Sequence, residues 1–141
     1  MTVIHITLLQ RAESIANNAH KGQSDKIGEP FIEHVRRVVA LVQGEDSKIV
    51  AWLHDVVEKA PGWTPERLAR EGFAADILAA IDAMTKRAGE DYFDFVRRAI
   101  ANPLARPVKR ADLLDNLDQM RRMGGDGFKY EEALRILAAT D

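Results

Sequence analysis

Cysteine is missing from this chain of 141 residues. Its absence excludes disulfide bonds, thiolate metal sites and cysteine nucleophiles, and it fits a protein of the reducing cytoplasm. A domain of this length needs no disulfides, because it can bury about two-thirds of its unfolded surface in one core. We therefore expect a single domain over residues 1–141.

Long apolar runs and an excess of one charge are missing as well. Nothing approaches the roughly 18 uninterrupted apolar residues of a membrane-spanning helix, and the N-terminal residues show no signal-peptide pattern. The chain has 20 Lys and Arg against 22 Asp and Glu, without a block of like charge. This balance argues against binding nucleic acid or membranes through bulk charge. We expect a soluble, cytoplasmic protein, in which any positive charge that binds an anion is local.

Helical periodicity is what the sequence does contain. Apolar residues recur at steps of three and four, and no segment shows the strict alternation of a half-buried strand. Neither a repeat nor a linker rich in Pro, Gly or Ser marks a second domain. The pattern predicts an all-α bundle of about seven helices, with Thr64 as a further helix start. The main helical stretches are residues 6–19, 30–42, 49–57, 73–85, 91–101, 108–123 and 129–139.

The run AWLHDVVEKA, residues 51–60, places three polar side chains in a helix that we expect to be central and buried. A buried polar group without a partner costs about 1–3 kcal/mol, and an ion costs more unless it is paired or binds a metal. On a helix, the side chains of His54 and Asp55 both converge on Glu58, although they diverge from each other by about 100°. A shared ion at their edge would satisfy all three.

Two other predicted helices offer further ligands. His34 lies among apolar residues of a helix that must pack against the central one, and Asp112 lies within one turn of Asp115 and Asn116. From the residues alone a purely structural role stays open for each of them, since a charged helix face is the usual place for such spacing. We predict that Asp115 and Asp118 face solvent beside basic residues.

Four segments follow one another in a specific order: AHKGQSDKIGEPFIEH, AWLHDVVEK, MTKRAGEDYFDFVRRAIANP and VKRADLLDNLD. Together they resemble the HD-superfamily metal-dependent phosphohydrolases, and most closely the hydrolase domain of the RelA/SpoT family and its small stand-alone relatives. The resemblance implies an HD-type helical bundle and an enzyme that hydrolyses a phosphoric ester or pyrophosphate. An isolated HD dipeptide would carry no such implication.

The resemblance implies a metal centre and a catalytic base. Matched residue by residue, the ligands of one divalent ion are His34, His54, Asp55 and Asp112. Two imidazoles and two carboxylates suit manganese, iron or zinc better than calcium. Manganese is typical of the family and is the ion we expect, with iron, zinc and magnesium as alternatives. Glu58 matches the glutamate that is thought to position and deprotonate the attacking water.

Substrate contacts are implied too, with two reversals of charge. Lys26 matches a loop lysine that faces the substrate, Asn116 matches the asparagine of the ADxLxN block, and Tyr130 corresponds to an aromatic residue near the nucleotide. Lys59 stands where the family pattern has aspartate; it cannot act as a base, but as a catalytic cation it could bind phosphate or lower the pKa of the water. Asp25 stands where the pattern has arginine, and we expect it to repel phosphates and weaken guanine recognition.

Three functions follow from these residues. The leading one is hydrolysis resembling that of a guanosine 3′,5′-bis(diphosphate) 3′-pyrophosphohydrolase, a stringent-response activity on a small nucleotide. The second keeps the metal but acts on another nucleotide or small phosphate ester, as the two charge reversals indicate. The third is a nucleotide-binding domain with weak turnover, which Lys59 alone favours. The sequence does not indicate an oligomeric state.

Overall fold

The computed structural model describes residues 5–140, so residues 1–4 and 141 of the predicted domain lie outside the described part. Within it, the structure has nine helical segments and one isolated bridge between Ser24 and Pro30. The segments are α1 (Leu8–Ala19), α2 (Phe31–Leu41), α3 (Glu45–Leu53), α4 (Val56–Lys59), α5 (Pro65–Arg70), α6 (Ala75–Ala83), α7 (Tyr92–Ala101), α8 (Ala105–Arg122) and α9 (Phe128–Ala139). The predicted all-α class is confirmed.

Local capping explains where several helices begin. Thr64 accepts a hydrogen bond from the Arg67 amide, and Pro65 occupies the first turn of α5, as the sequence predicts. Asp91 caps α7 by accepting hydrogen bonds from the amides of Phe93 and Asp94 at 3.0 and 3.2 Å. Such caps satisfy amides that have no partner inside the helix, and they can be recognised from a few neighbouring residues.

The core surrounds α3, whose residues from Ile49 to Leu53 are all buried. This helix packs against α1, α2, α6 and α8, which confirms the prediction of a central helix. A second apolar cluster joins α7, α8 and α9 through residues that include Val96, Leu113 and Leu137. Each large apolar side chain buried in this way stabilises the fold by about 1.5–3 kcal/mol. No helix between residues 5 and 140 is long and apolar enough to span a membrane.

The central helix is shorter than predicted, because it ends at Leu53. His54 keeps helical angles, but Asp55 has φ −110° and ψ 0°, and a new four-residue helix, α4, begins at Val56. The prediction of one continuous helix over 49–57 is therefore wrong. The consequence is chemical, since a break in the helix changes the directions in which neighbouring side chains point.

The long helix α8 begins at Ala105, three residues before the predicted start. Pro107 lies in its first turn, where the amide that proline lacks would have no helical partner. Asn102 Oδ1 accepts hydrogen bonds at 3.0 Å from the amides of Leu104 and Ala105 and so satisfies this helix start. This helix crosses beside α2 and α3 and carries Asp112 toward both of them.

Candidate metal centre

Four side chains that can bind a metal converge where α2, the α3–α4 break and α8 meet. Ligand atoms of His34, His54, Asp55 and Asp112 all lie within 4.8 Å of one another. His34 Nε2 lies 3.1 Å from Asp112 Oδ1, and His54 Nε2 lies 3.4 Å from that same oxygen. Elements that are far apart along the chain thus supply a single cluster.

The break between α3 and α4 brings the HD pair together. His54 Nε2 lies 2.9 Å from Asp55 Oδ2, although adjacent side chains on one helix would diverge. Asp55 precedes α4 as its N-cap residue but makes no capping hydrogen bond, so its carboxylate is directed into the cluster. The predicted divergence of these two side chains is wrong for this reason.

Each histidine uses its Nδ1 for a contact away from the cluster. His54 Nδ1 donates to the Ala51 carbonyl oxygen at 2.6 Å, and His34 Nδ1 donates to Asp115 Oδ2 at 2.6 Å. A carbonyl oxygen can only accept, so the proton of a neutral His54 sits on Nδ1 and its Nε2 carries a free lone pair. His54 Nε2 is buried and has no hydrogen-bond partner of good geometry. This arrangement fits a metal ligand.

Neighbouring carboxylates raise the pKa values of both histidines. Burial lowers the pKa of His54, but Asp55 and Asp112 outweigh it and raise that pKa well above its usual value. Burial also opposes the charge of His34, whose pKa is nevertheless raised by its bonds to Asp112 and Asp115. The pKa of Asp112 lies well below the usual value, because Lys109 and the two histidines outweigh burial. A divalent cation at this position would compete with these protons.

Asp115 is buried, so the prediction that it faces solvent is wrong. Besides His34, it accepts hydrogen bonds from Arg37 Nε at 2.6 Å and from Gln119 Nε2 at 2.8 Å. The spacing contained a signal for this, since residues three apart share a helix face and Asp115 lies three residues after Asp112. Asp118, by contrast, is exposed and pairs with Arg122, as predicted.

A cavity of about 340 Å³ opens onto the cluster. Glu58 and Lys59, both in α4, lie in its wall together with His34, Asp55 and Asp112. Burial, followed by the charge of Asp55, raises the pKa of Glu58. Lys59 Nζ lies 5.1 Å from the centre of the Phe31 ring.

Lysine and aromatic side chains make up most of the remaining wall. Lys26 Nζ donates to Asn116 Oδ1 at 2.6 Å and lies 5.5 Å from the centre of the Tyr130 ring, so the structure brings these three predicted substrate contacts together. Sequence reasoning missed four polar residues of this wall, namely Lys86, Tyr92, Lys109 and Lys129. Lys109 had a signal, because it precedes Asp112 by three residues on one helix; its Nζ lies 3.4 Å from Asp112 Oδ2.

Asp25, which we expected to repel phosphates, is buried in its own loop. Its side chain is 2% exposed, and Oδ1 accepts hydrogen bonds from the amides of Ile27 and Glu29 at 3.0 and 2.9 Å. The carboxylate therefore shapes the loop that carries Lys26. The expectation that it repels phosphates has no support in this geometry.

Known proteins resemble this chain in fold and in sequence. No family model matches the chain. A solved structure of a metazoan ortholog of SpoT, which hydrolyses ppGpp, matches with a TM-score of 0.71 and 21% identity over 97% of this chain and 85% of that one. The chain has the fold of a SpoT-type hydrolase domain.

Three curated relatives confirm the resemblance to RelA/SpoT proteins. A guanosine-3′,5′-bis(diphosphate) 3′-pyrophosphohydrolase of Haemophilus influenzae is 36% identical over 51% of this chain. The enzyme of the same name from Aquifex aeolicus is 26% identical over 80% of the chain, and a probable GTP pyrophosphokinase of Mycobacterium leprae is 28% identical over 95%. The chain spans less than a fifth of each of these proteins: 11% of the Haemophilus protein, 18% of the Aquifex protein and 19% of the Mycobacterium protein.

Proposed function

We propose that this domain is a metal-dependent phosphohydrolase that removes the 3′-diphosphate of guanosine 3′,5′-bis(diphosphate). The observation that carries the proposal is the cluster of two imidazoles and two carboxylates beneath a cavity lined with five lysines. Two of the curated relatives bear the name of this activity. The ligand would be a small anionic nucleotide, and we place the reaction in the cytoplasm.

The donor set supports one divalent ion held by His34, His54, Asp55 and Asp112. Two negative carboxylates balance the charge of such an ion, and each imidazole has its other nitrogen engaged by an acceptor, as metal-binding histidines usually have. Mixed nitrogen and oxygen donors suit manganese, iron or zinc, and we propose manganese, with magnesium as a further alternative. When bound, such an ion polarises a phosphoryl oxygen and acidifies water.

Glu58 is the group we assign to proton transfer. Its carboxylate lies in the cavity wall next to the cluster, and partial desolvation there raises its pKa toward the range in which a carboxylate is an effective base. It would take the proton of the attacking water. Lys59 follows it on α4 and would bind phosphate, since an ammonium cannot serve as that base.

The phosphate and nucleotide contacts would come from other residues of the cavity wall. Lys26 is fixed by its bond to Asn116, which directs a positive charge into the cavity, and Tyr130 offers a ring surface beside it. A compact ammonium binds phosphate as a point charge. These three side chains would hold the substrate while Glu58 acts on water.

Hydrolysis by purified protein loaded with Mn²⁺ tests this proposal. Release of pyrophosphate from guanosine 3′,5′-bis(diphosphate) would be compared for the wild type, Glu58→Gln and the control Glu66→Gln, which changes an exposed glutamate of α5. We expect Glu58→Gln to lower kcat about 10²–10⁴-fold and the control to leave it unchanged. Equal rates for all three proteins would reject the role of Glu58, and a wild type without turnover would reject the activity.

Lys59 favours two alternatives, since it reverses the charge of the family pattern. The same centre could act on another nucleotide or small phosphate ester; a panel of phosphorylated metabolites tests this, and a clear preference for guanosine 3′-diphosphates would exclude it. The domain could also bind a nucleotide with weak turnover. In that case the wild type should hydrolyse the nucleotide slowly, and Lys59→Asp should be faster. A wild type that is already fast, with no further increase in Lys59→Asp, would exclude this weak-turnover alternative.

A further inference from the structure

Asp115 lies behind His34, on the side of the imidazole ring that faces away from the other candidate ligands. His34 Nδ1 donates to Asp115 Oδ2 at 2.6 Å, while Nε2 on the opposite side of the ring lies 3.1 Å from Asp112 Oδ1. Asp115 is not among the four clustered ligands. Its carboxylate therefore contacts the cluster only through His34.

Asp115 is itself held from two further directions. Arg37 donates to its Oδ1 through Nε at 2.6 Å and to its Oδ2 through Nη2 at 3.2 Å. Gln119, one turn further along α8, donates to Oδ2 at 2.8 Å. A buried carboxylate with this many donors stays ionised and keeps one orientation.

The same group of side chains reaches the loop that carries Lys26. Gln119 Oε1 accepts a hydrogen bond from the Lys26 amide at 3.3 Å, and Arg37 Nη2 lies 3.9 Å from Asp25 Oδ2. Gln119 thus contacts both Asp115 and the backbone of a proposed substrate-binding residue. The orientation of His34 and the position of the Lys26 loop depend on one connected set of hydrogen bonds.

We propose that Asp115 is a positioning residue, which holds the proton of His34 on Nδ1 and so keeps the Nε2 lone pair directed at the metal ion. Without this acceptor the neutral imidazole could carry its proton on Nε2, donate to Asp112, and lose its capacity as a ligand. The inference rests on the metal centre of the proposed function. Loss of such a partner typically weakens metal binding about 10–100-fold.

Asp115→Asn and the matched control Asp118→Asn test the proposal. The control makes the same change one turn along α8, at an exposed residue that pairs with Arg122. Metal-free proteins would be titrated with Mn²⁺ by calorimetry, and their thermal unfolding would be followed without metal. We expect the dissociation constant to rise about 10–100-fold for Asp115→Asn only. ¹⁵N NMR of the metal-free wild type, at a pH high enough to make His34 neutral, should show its remaining proton on Nδ1.

The outcomes separate this inference from the proposal on which it rests. A wild type that binds no Mn²⁺ would overturn the metal centre, and the positioning role with it. If the wild type binds and Asp115→Asn binds equally well, only the positioning role is overturned; a loss of thermal stability without a loss of affinity would overturn it too. If Asp115→Asn does not fold, Asp115→Glu replaces it in the test, because this variant keeps the negative charge but displaces it. The positioning role would be overturned if Asp115→Glu bound Mn²⁺ as tightly as the wild type while its His34 carried the proton on Nε2.

Discussion

Replacing Arg98 by methionine should destabilise the wall of the cavity. Arg98, in α7, donates to the carbonyl oxygens of Asp82 at 2.9 Å and Thr85 at 2.8 Å, and it also binds both carboxylate oxygens of Glu90. These bonds attach the end of α6 and the 85–90 segment to α7. Lys86, which lies in the cavity wall, belongs to that segment.

The two bonds to carbonyl oxygens set the size of the effect. A hydrogen bond from a charged donor contributes about 1.5–3 kcal/mol, and the lower end applies because the side chain of Arg98 is 22% exposed. Their loss together should lower the free energy of unfolding by about 3 kcal/mol. For a domain of this size that corresponds to a fall in Tm of about 6–12 °C.

The pair with Glu90 adds a dependence on pH. Its hydrogen bond to Arg98 lowers the pKa of Glu90 from 4.5 to about 2. A depressed carboxyl pKa stabilises the folded state above the unfolded pKa, and this contribution disappears as the pH falls through the folded value. The difference in stability between wild type and Arg98→Met should therefore be constant above about pH 5 and shrink toward pH 2.

Urea unfolding followed by circular dichroism would measure the effect, with Arg97→Met as the control. Arg97 is the neighbouring residue of α7, and its ion pair with Asp94 joins side chains that are 57% and 68% exposed. We expect the control to change stability by less than about 0.5 kcal/mol. Equal effects of the two substitutions would refute the claim that Arg98 holds this wall in place.

Three other results are expected. Mn²⁺ added to metal-free protein should raise Tm more at pH 8 than at pH 5.5. The pKa values of both candidate histidine ligands are raised, so at low pH protons compete with Mn²⁺ for their nitrogens. An equal increase in Tm at both pH values would contradict this competition. Gly127→Ala should cost about 1–3 kcal/mol in urea unfolding, since the added Cβ would overlap Leu117 Cδ1; wild-type stability would show that Leu117 can move aside. Lys26→Met should raise KM at least about tenfold in the hydrolysis assay, because a charged contact with the substrate is lost. The control Lys21→Met changes an exposed residue of the same loop and should leave KM unchanged. Equal KM values for the two variants would remove Lys26 from the substrate site.

The helices and several of their starts could be predicted because they depend on neighbouring residues. Thr64 and Asp91 each cap a helix by accepting hydrogen bonds from amides that lie two or three residues further along the chain. Periodic apolar residues placed α3 at the centre for the same reason, since a helix that is apolar on nearly every side has to be buried.

The break after Leu53 could not be predicted in this way. Residues 51–60 contain no proline or glycine that would signal an interruption, and the angles of Asp55 depend on the tertiary structure around it. The first and last of the four clustered ligands, His34 and Asp112, are 78 positions apart in sequence. Spacing alone could not join them, so their grouping came from the resemblance to a family.

The partners of buried carboxylates were also beyond local reasoning. Asp115 resembles a surface residue in the sequence because basic residues lie nearby, but the packing of α2 on α8 places His34 and Arg37 against it. Asp25 resembles a charge in the substrate site, but the turn of its own loop supplies two amide donors. In both cases contacts formed by folding decide the role of the charge.

The most direct test of the metal centre is an anomalous difference map from crystals of the protein grown with Mn²⁺, measured at the manganese absorption edge. The account predicts one strong peak within bonding distance of His34 Nε2, His54 Nε2, and carboxylate oxygens of Asp55 and Asp112. A map without a peak at this position, or with manganese bound only elsewhere on the protein, would contradict it.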